Sequence, residues 1–166
     1  MNIPSSKRVS TFFLKAVLIV IALIVLIGCF FAFPNIWKGL PAEWPMIPTG
    51  LVYPGLITFY LSIIPFLIAL YQAFKLLQFI DRNNAFSDAS IGTLKNIKFC
   101  AIGMSVLYWA SMPLMFAVAE FDDAPGLILM WAAFASSPLV IATFAAVLQK
   151  LVQNALDMKS EIDLTV

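Results

Sequence analysis

This sequence predicts an all-α, polytopic membrane protein in which four transmembrane helices form an up-down bundle with a short cytoplasmic helical hairpin. Three observations predict it. Four uncharged apolar stretches, residues 16–33, 51–74, 99–119 and 124–149, occupy more than half of the chain. Each is long enough for an α-helix rising ~1.5 Å per residue to cross about 30 Å of hydrocarbon. The chain is 62% hydrophobic and 11% charged with mean hydropathy +0.96, whereas soluble domains carry roughly 25% charge. Finally, Lys and Arg are placed unevenly about the spans, which is what orients a membrane protein.

The first span follows Lys7, Arg8 and Lys15. Its Leu26-Ile27-Gly28-Cys29 resembles a lipobox, which would make the segment a cleaved leader. Cys29 is followed by Phe30-Phe31-Ala32-Phe33 rather than a polar spacer, and the reading adopted is an ordinary first helix. The outer loop, residues 34–48, carries Pro34, Pro41, Pro45 and Pro48. Prolines remove amide donors, so this loop is expected to be irregular, with Trp37 and Trp44 at headgroup level.

The second span is expected to run beyond the bilayer through Phe79 and Ile80 and to stop near Asp81-Arg82-Asn83-Asn84. Ser87 is suited to cap a new helix, with Asp88 in the dipole-favoured first turn and Phe86 and Ile91 spaced for a hydrophobic staple. Ile91, Leu94 and Ile97 can then face Leu77 and Ile80, leaving Lys95 and Lys98 in water. Residues 75–98 thus form the predicted hairpin. Its Lys75, Arg82, Lys95 and Lys98 place it with the N-terminus and with the tail, residues 150–166, on the cytoplasmic side of a bacterial inner membrane. Only Lys38 lies opposite, where Glu43 and the turn residues Glu120, Asp122 and Asp123 make the exterior acidic. Residues 1–166 form one integral membrane domain on this reading.

Within the spans there are hydroxyls but no acid, Lys or Arg. Ser62, Ser105, Ser111, Ser136, Ser137 and Thr143 can bond to carbonyls or to other helices. Ala101 with Ser105, Ala132 with Ser136, and Ala142 with Ala146 have the small-xxx-small spacing of closely packed helices. Pro65, Pro113 and Pro138 are expected to kink spans two, three and four. Ion-coupled carriers need a group that changes charge at membrane depth, and none is present there. Histidine is absent from the chain, and Cys29 and Cys100 lie ~15 Å apart in depth, so neither a disulfide nor a metal or cofactor site is expected.

The segment from Leu76-Leu77-Gln78-Phe79-Ile80 through Asp81-Arg82-Asn83-Asn84-Ala85-Phe86-Ser87, then Leu94-Lys95-Asn96-Ile97 and the closing Asp163-Leu164-Thr165-Val166, resembles the bacterial membrane family known as domain of unknown function 2975. The resemblance covers most of the chain. It implies four spans with both ends cytoplasmic, no established reaction, and members encoded beside a small helix-turn-helix transcription regulator. A partner of such a regulator must offer it a cytoplasmic surface, for which Phe79, Arg82, Phe86, Lys95 and Lys98 of the hairpin and Leu164 and Val166 of the tail are the candidates. The tail's alternating apolar residues suit an extended segment that adds to a partner's sheet edge.

Three functional classes follow from the sequence. The leading one is a non-enzymatic integral membrane protein that anchors or restrains the regulator without itself binding nucleic acid. The lipid bilayer is its other partner, and homo-oligomers are admitted. The second is a small oligomeric pore or carrier. The third is a membrane enzyme acting on lipid, with Glu120, Asp122 and Asp123 as the available carboxylates.

Overall fold

A computed structural model describes residues 4–43, 45, 47–82 and 84–164. The backbone is all-α, with no strand among the described residues. Among the described residues there are six helices: α1 (Pro4–Glu43), α2 (Thr49–Leu61), α3 (Ile63–Asp81), α4 (Asp88–Ala110), α5 (Met112–Phe121) and α6 (Gly126–Leu164). They make four columns, α1, α2–α3, α4–α5 and α6, each long and apolar enough to cross a membrane.

Two expectations about proline are corrected. The chain does not become irregular at Pro34: α1 continues through Pro34 and Pro41 to Glu43. Each proline deletes one backbone bond, but in an apolar setting a helix still satisfies the remaining amides better than a loop does. The interface positions expected for Trp37 and Trp44 lie outside the described side chains, as do those of Lys7, Arg8, Lys38 and Glu43.

The second correction concerns the spans. Columns two and three are interrupted at Ser62 and Ser111, just before Pro65 and Pro113, whereas α6 passes through Pro138 unbroken. A helical proline strips the carbonyl four residues earlier of its amide donor. For Pro138 that carbonyl is Phe134, and the Ser137 hydroxyl donates to it at 2.8 Å. Pro65 and Pro113 follow Ile64 and Met112, which have no hydroxyl to offer. Buried Ser62 and Ser111 instead turn inward and donate to the carbonyls of Phe59 (2.6 Å) and Tyr108 (2.7 Å), tightening the chain at each break.

The second column ends in the turn that carries the predicted hairpin, and α4 occupies the centre. It packs most extensively on α6 and then on α3. Along the α4–α6 seam Ala101 and Ser105 meet a buried stripe of Ala135, Ala142 and Ala145, and Ser105 donates to the Ala135 carbonyl at 2.6 Å. The small-residue reading is thus right for Ala101, Ser105 and Ala142. Ser136 departs from it, bonding its own helix at the Ala132 carbonyl. A second apolar cluster of Ile47, Val52, Leu56, Leu114 and Val118 closes the opposite side of the kinks. There α2 and α5 approach so closely at Gly55 that no side chain fits. By contrast, α1 touches only α2 and α3 and buries little, presenting apolar side chains around its circumference as a lipid-facing helix does.

Two polar contacts show which ends lie together. Lys15, early in α1, pairs with Asp81 at the end of α3, its ammonium also 5.9 Å from the centre of the Phe74 ring. Lys98, midway along α4, donates to Gln149 of α6 at 3.4 Å. The start of α1, the α3–α4 turn and the C-terminal part of α6 therefore share one end, rich in Lys and Arg. Glu120, Asp122 and Asp123 occupy the other.

Candidate functional site at the basic end

The α3–α4 turn is built by capping at both sides. At the end of α3, the Asn84 amide donates back to the Phe79 carbonyl at 2.8 Å, and Arg82 is the C-cap with its amide on Gln78. Ser87 takes the expected N-cap conformation (φ −148°, ψ 157°), and its hydroxyl accepts from the Ser90 amide at 3.3 Å. Fully buried Ser90 completes the stitch, its hydroxyl donating to the Asn84 carbonyl at 3.3 Å. The six-residue connection, 82–87, is thus tied at three points.

The predicted residues are placed as follows. Arg82, Phe86 and Lys95 are exposed. Phe86 is 62% exposed, which leaves most of its ring outside any staple with Ile91. Phe79 is half-buried, with the Lys75 ammonium 5.8 Å from its ring centre. Lys98 is half-buried against Gln149 rather than fully wet. On the packed face Leu94 is buried as expected, but Ile80 points outward, and Ser90 and Thr93 take the interior positions. Polar residues serve there because their hydroxyls reach nearby carbonyls, Thr93 donating to Ala89 at 2.9 Å.

The tail is corrected more strongly. Rather than being extended, residues 150–164 continue α6 as a helix. Lys150, Gln153, Lys159 and Glu161 are good helix formers, and no Gly or Pro follows Pro138 to stop the helix. The helix ends at Leu164, whose side chain, like all of Val166, lies outside the described residues. With 39 residues, α6 is about 58 Å long and outruns the hydrocarbon core by several turns. The basic end is therefore a platform of three helix ends, α3, α4 and α6.

Deeper in the bundle lie features that the sequence does not announce. A partly open pocket of about 330 Å³ sits beside the α2–α3 break, lined by Val25, Cys29, Tyr60, Ser62, Phe66 and Tyr108. Beside it Phe59, Tyr108, Trp131 and Phe134 stack with centroids 5.1–6.4 Å apart, joining α2, α4 and α6. The Tyr108 carbonyl also receives the Trp131 ring N–H at 3.3 Å. In α3, the Gln72 Oε1 is buried without a hydrogen-bond partner. The isolated amide in an apolar span was the visible signal for Gln72. Aromatic stacking across three helices leaves no such trace in one sequence.

These features define an α-helical, multi-span membrane protein whose structured polar surface is concentrated at one end. The chain belongs to the family described as "Protein of unknown function (DUF2975)", whose model matches residues 41–166. The match begins where the lipid-facing α1 ends and covers the packed columns. The chain is also 48% identical over 160 residues to the "Uncharacterized membrane protein YoaS" of Bacillus subtilis (strain 168), spanning 96% of this chain and 99% of that protein. No solved structure matches it.

Proposed function

We propose that this protein is a non-enzymatic anchor in a bacterial inner membrane that holds or restrains a cytoplasmic helix-turn-helix regulator on its basic end. The carrying observation is the capped α3–α4 turn, which presents Arg82, Phe86 and Lys95 to solvent. An exposed aromatic ring flanked by cations is the composition of a docking surface, since aromatics and Arg dominate interface energetics. The excess of Lys and Arg supports a cytoplasmic orientation and selects an acidic face on the partner. The family resemblance supplies the regulator as that partner.

Control by a membrane signal requires two conformations with different affinity for the regulator. The breaks at Ser62 and Ser111 supply joints, and the pocket beside Ser62 supplies a place where occupancy can bias the pair. The test is photocrosslinking in cells from residue 86 of the full chain. Recovery of one DNA-binding protein, lost on Arg82→Glu, is expected. Crosslinks to lipid alone, or a DNA-binding partner unaffected by Arg82→Glu, would overturn the proposal.

A further inference from the structure

Beyond Gln149, α6 leaves the uncharged part of the sequence, and from Lys150 onward its exposed side chains face water rather than acyl chains. The exposed large apolar side chains described there are Leu151 (57%), Met158 (59%) and Ile162 (64%). With half-buried Ala155 they recur at spacings of four, three and four. Gln153, Asn154, Asp157, Lys159, Ser160 and Glu161 fill the positions between. Followed back into the span, the same 3–4 alternation runs through Leu148, Phe144, Ile141, Ser137, Phe134 and Met130, all exposed. This is a heptad seam with Phe134, Ile141, Leu148, Ala155 and Ile162 at a and Met130, Ser137, Phe144, Leu151 and Met158 at d. It is distinct from the buried stripe of Ala135, Ala142 and Ala145, which faces α4, although Phe134 near its membrane end also packs one side of its ring on Tyr108 of α4.

We infer that this seam pairs with the same seam of a second copy, making a parallel two-stranded coiled coil that begins within the membrane and continues into the aqueous phase. Three observations choose this occupant. Met130 to Ile162 spans more than four heptads, beyond the three to four at which such a pattern argues for a coiled coil. Lipid explains exposed apolar residues within the span but not Leu151 and Met158, because large apolar side chains left in water forgo the gain of burial. Finally, insertion in one topology makes two copies parallel and in register, so each a and d residue meets its own counterpart, as a closed two-fold interface requires. The small Ala155 layer lets the backbones close where the helices leave the bilayer. Dimerisation would place two α3–α4 turns beside one stalk, matching a two-fold symmetric partner.

Disulfide crosslinking of the full-length protein in native membranes tests this, starting from a Cys29→Ala, Cys100→Ala background. Single variants Leu151→Cys and Met158→Cys are expected to give, on oxidation, a species of twice the 18.3 kDa of one chain. Gln153→Cys and Ser160→Cys, on the opposite face, should remain monomeric. A lysine at the other seam position, such as Leu151→Lys with Met158→Cys, should lose the dimer while Gln153→Lys with Met158→Cys keeps it. Equal crosslinking on both faces, monomer throughout, or adducts only with a different protein would overturn the inference. Each of those results leaves the regulator proposal standing, because it is read from residue 86.

Discussion

Gly55 offers the sharpest test of how the kinked columns pack. Gly55→Ala would place a methyl carbon 2.4 Å from Leu114 Cδ2, 2.8 Å from its Cβ and 3.2 Å from its Cγ. Carbon atoms rest at about 3.5 Å or more. Rotating Leu114 withdraws Cδ2, but Cβ is fixed to the backbone, so α2 and α5 must part by about 0.7 Å. Overpacking of this kind costs about 1–3 kcal/mol, whereas the gain in helix propensity from Gly to Ala returns at most ~1 kcal/mol. A net loss of up to about 2 kcal/mol is expected in reversible SDS unfolding of the full chain in mixed micelles. The background at position 114 isolates the cause. Leu114→Ala removes the Cδ2 and Cγ contacts and Leu114→Gly removes all three, so the penalty of Gly55→Ala should shrink in the first background and reverse to a gain in the second. An equal increment from Gly55→Ala in all three backgrounds would refute the close approach.

Three further outcomes are expected from the same unfolding assay. Ser137→Ala should cost about 1–3 kcal/mol, because the Phe134 carbonyl loses the donor that replaces the missing amide of Pro138, and Ser137→Thr should restore most of it. Ser105→Ala should cost about 0.6–2 kcal/mol through its bond to Ala135, and Ser105→Leu should cost more because fully buried Ala135 leaves no room. At the α5–α6 turn Asp123 has φ 51°, so Asp123→Gly should stabilise by up to about 1 kcal/mol, while Asp123→Val should destabilise.

The sequence showed the architecture because bilayer length and backbone satisfaction leave little freedom: uncharged stretches of this length must be helices. Local chemistry at the α3–α4 turn was equally legible, since Ser87 and Asp88 form a cap from side chains adjacent in the chain. Proline was read less well. A neighbouring hydroxyl alone does not decide whether a helix continues: Ser137 serves the carbonyl freed by Pro138 and Pro65 and Pro113 lack such a neighbour, yet α1 runs through Pro34 and Pro41 without one. The helical tail was missed because alternation at Ile162, Leu164 and Val166 suggested an extended strand, although the longer 3–4 spacing from Phe144 to Ile162 was already present. Tertiary contacts such as Lys15 with Asp81, or Tyr108 with Trp131, join residues far apart in sequence and required the folded chain.

The account rests on one arrangement across the bilayer: the α3–α4 turn and the C-terminal part of α6 on the cytoplasmic side, and the Asp122–Asp123 turn outside. Single cysteines at positions 86, 157 and 122, in the Cys29→Ala, Cys100→Ala background, test it with a membrane-impermeant thiol reagent. Residue 122 should react in intact spheroplasts, and residues 86 and 157 only in inside-out vesicles. Labelling of 86 or 157 from the outside, or of 122 together with them from the inside, would contradict it.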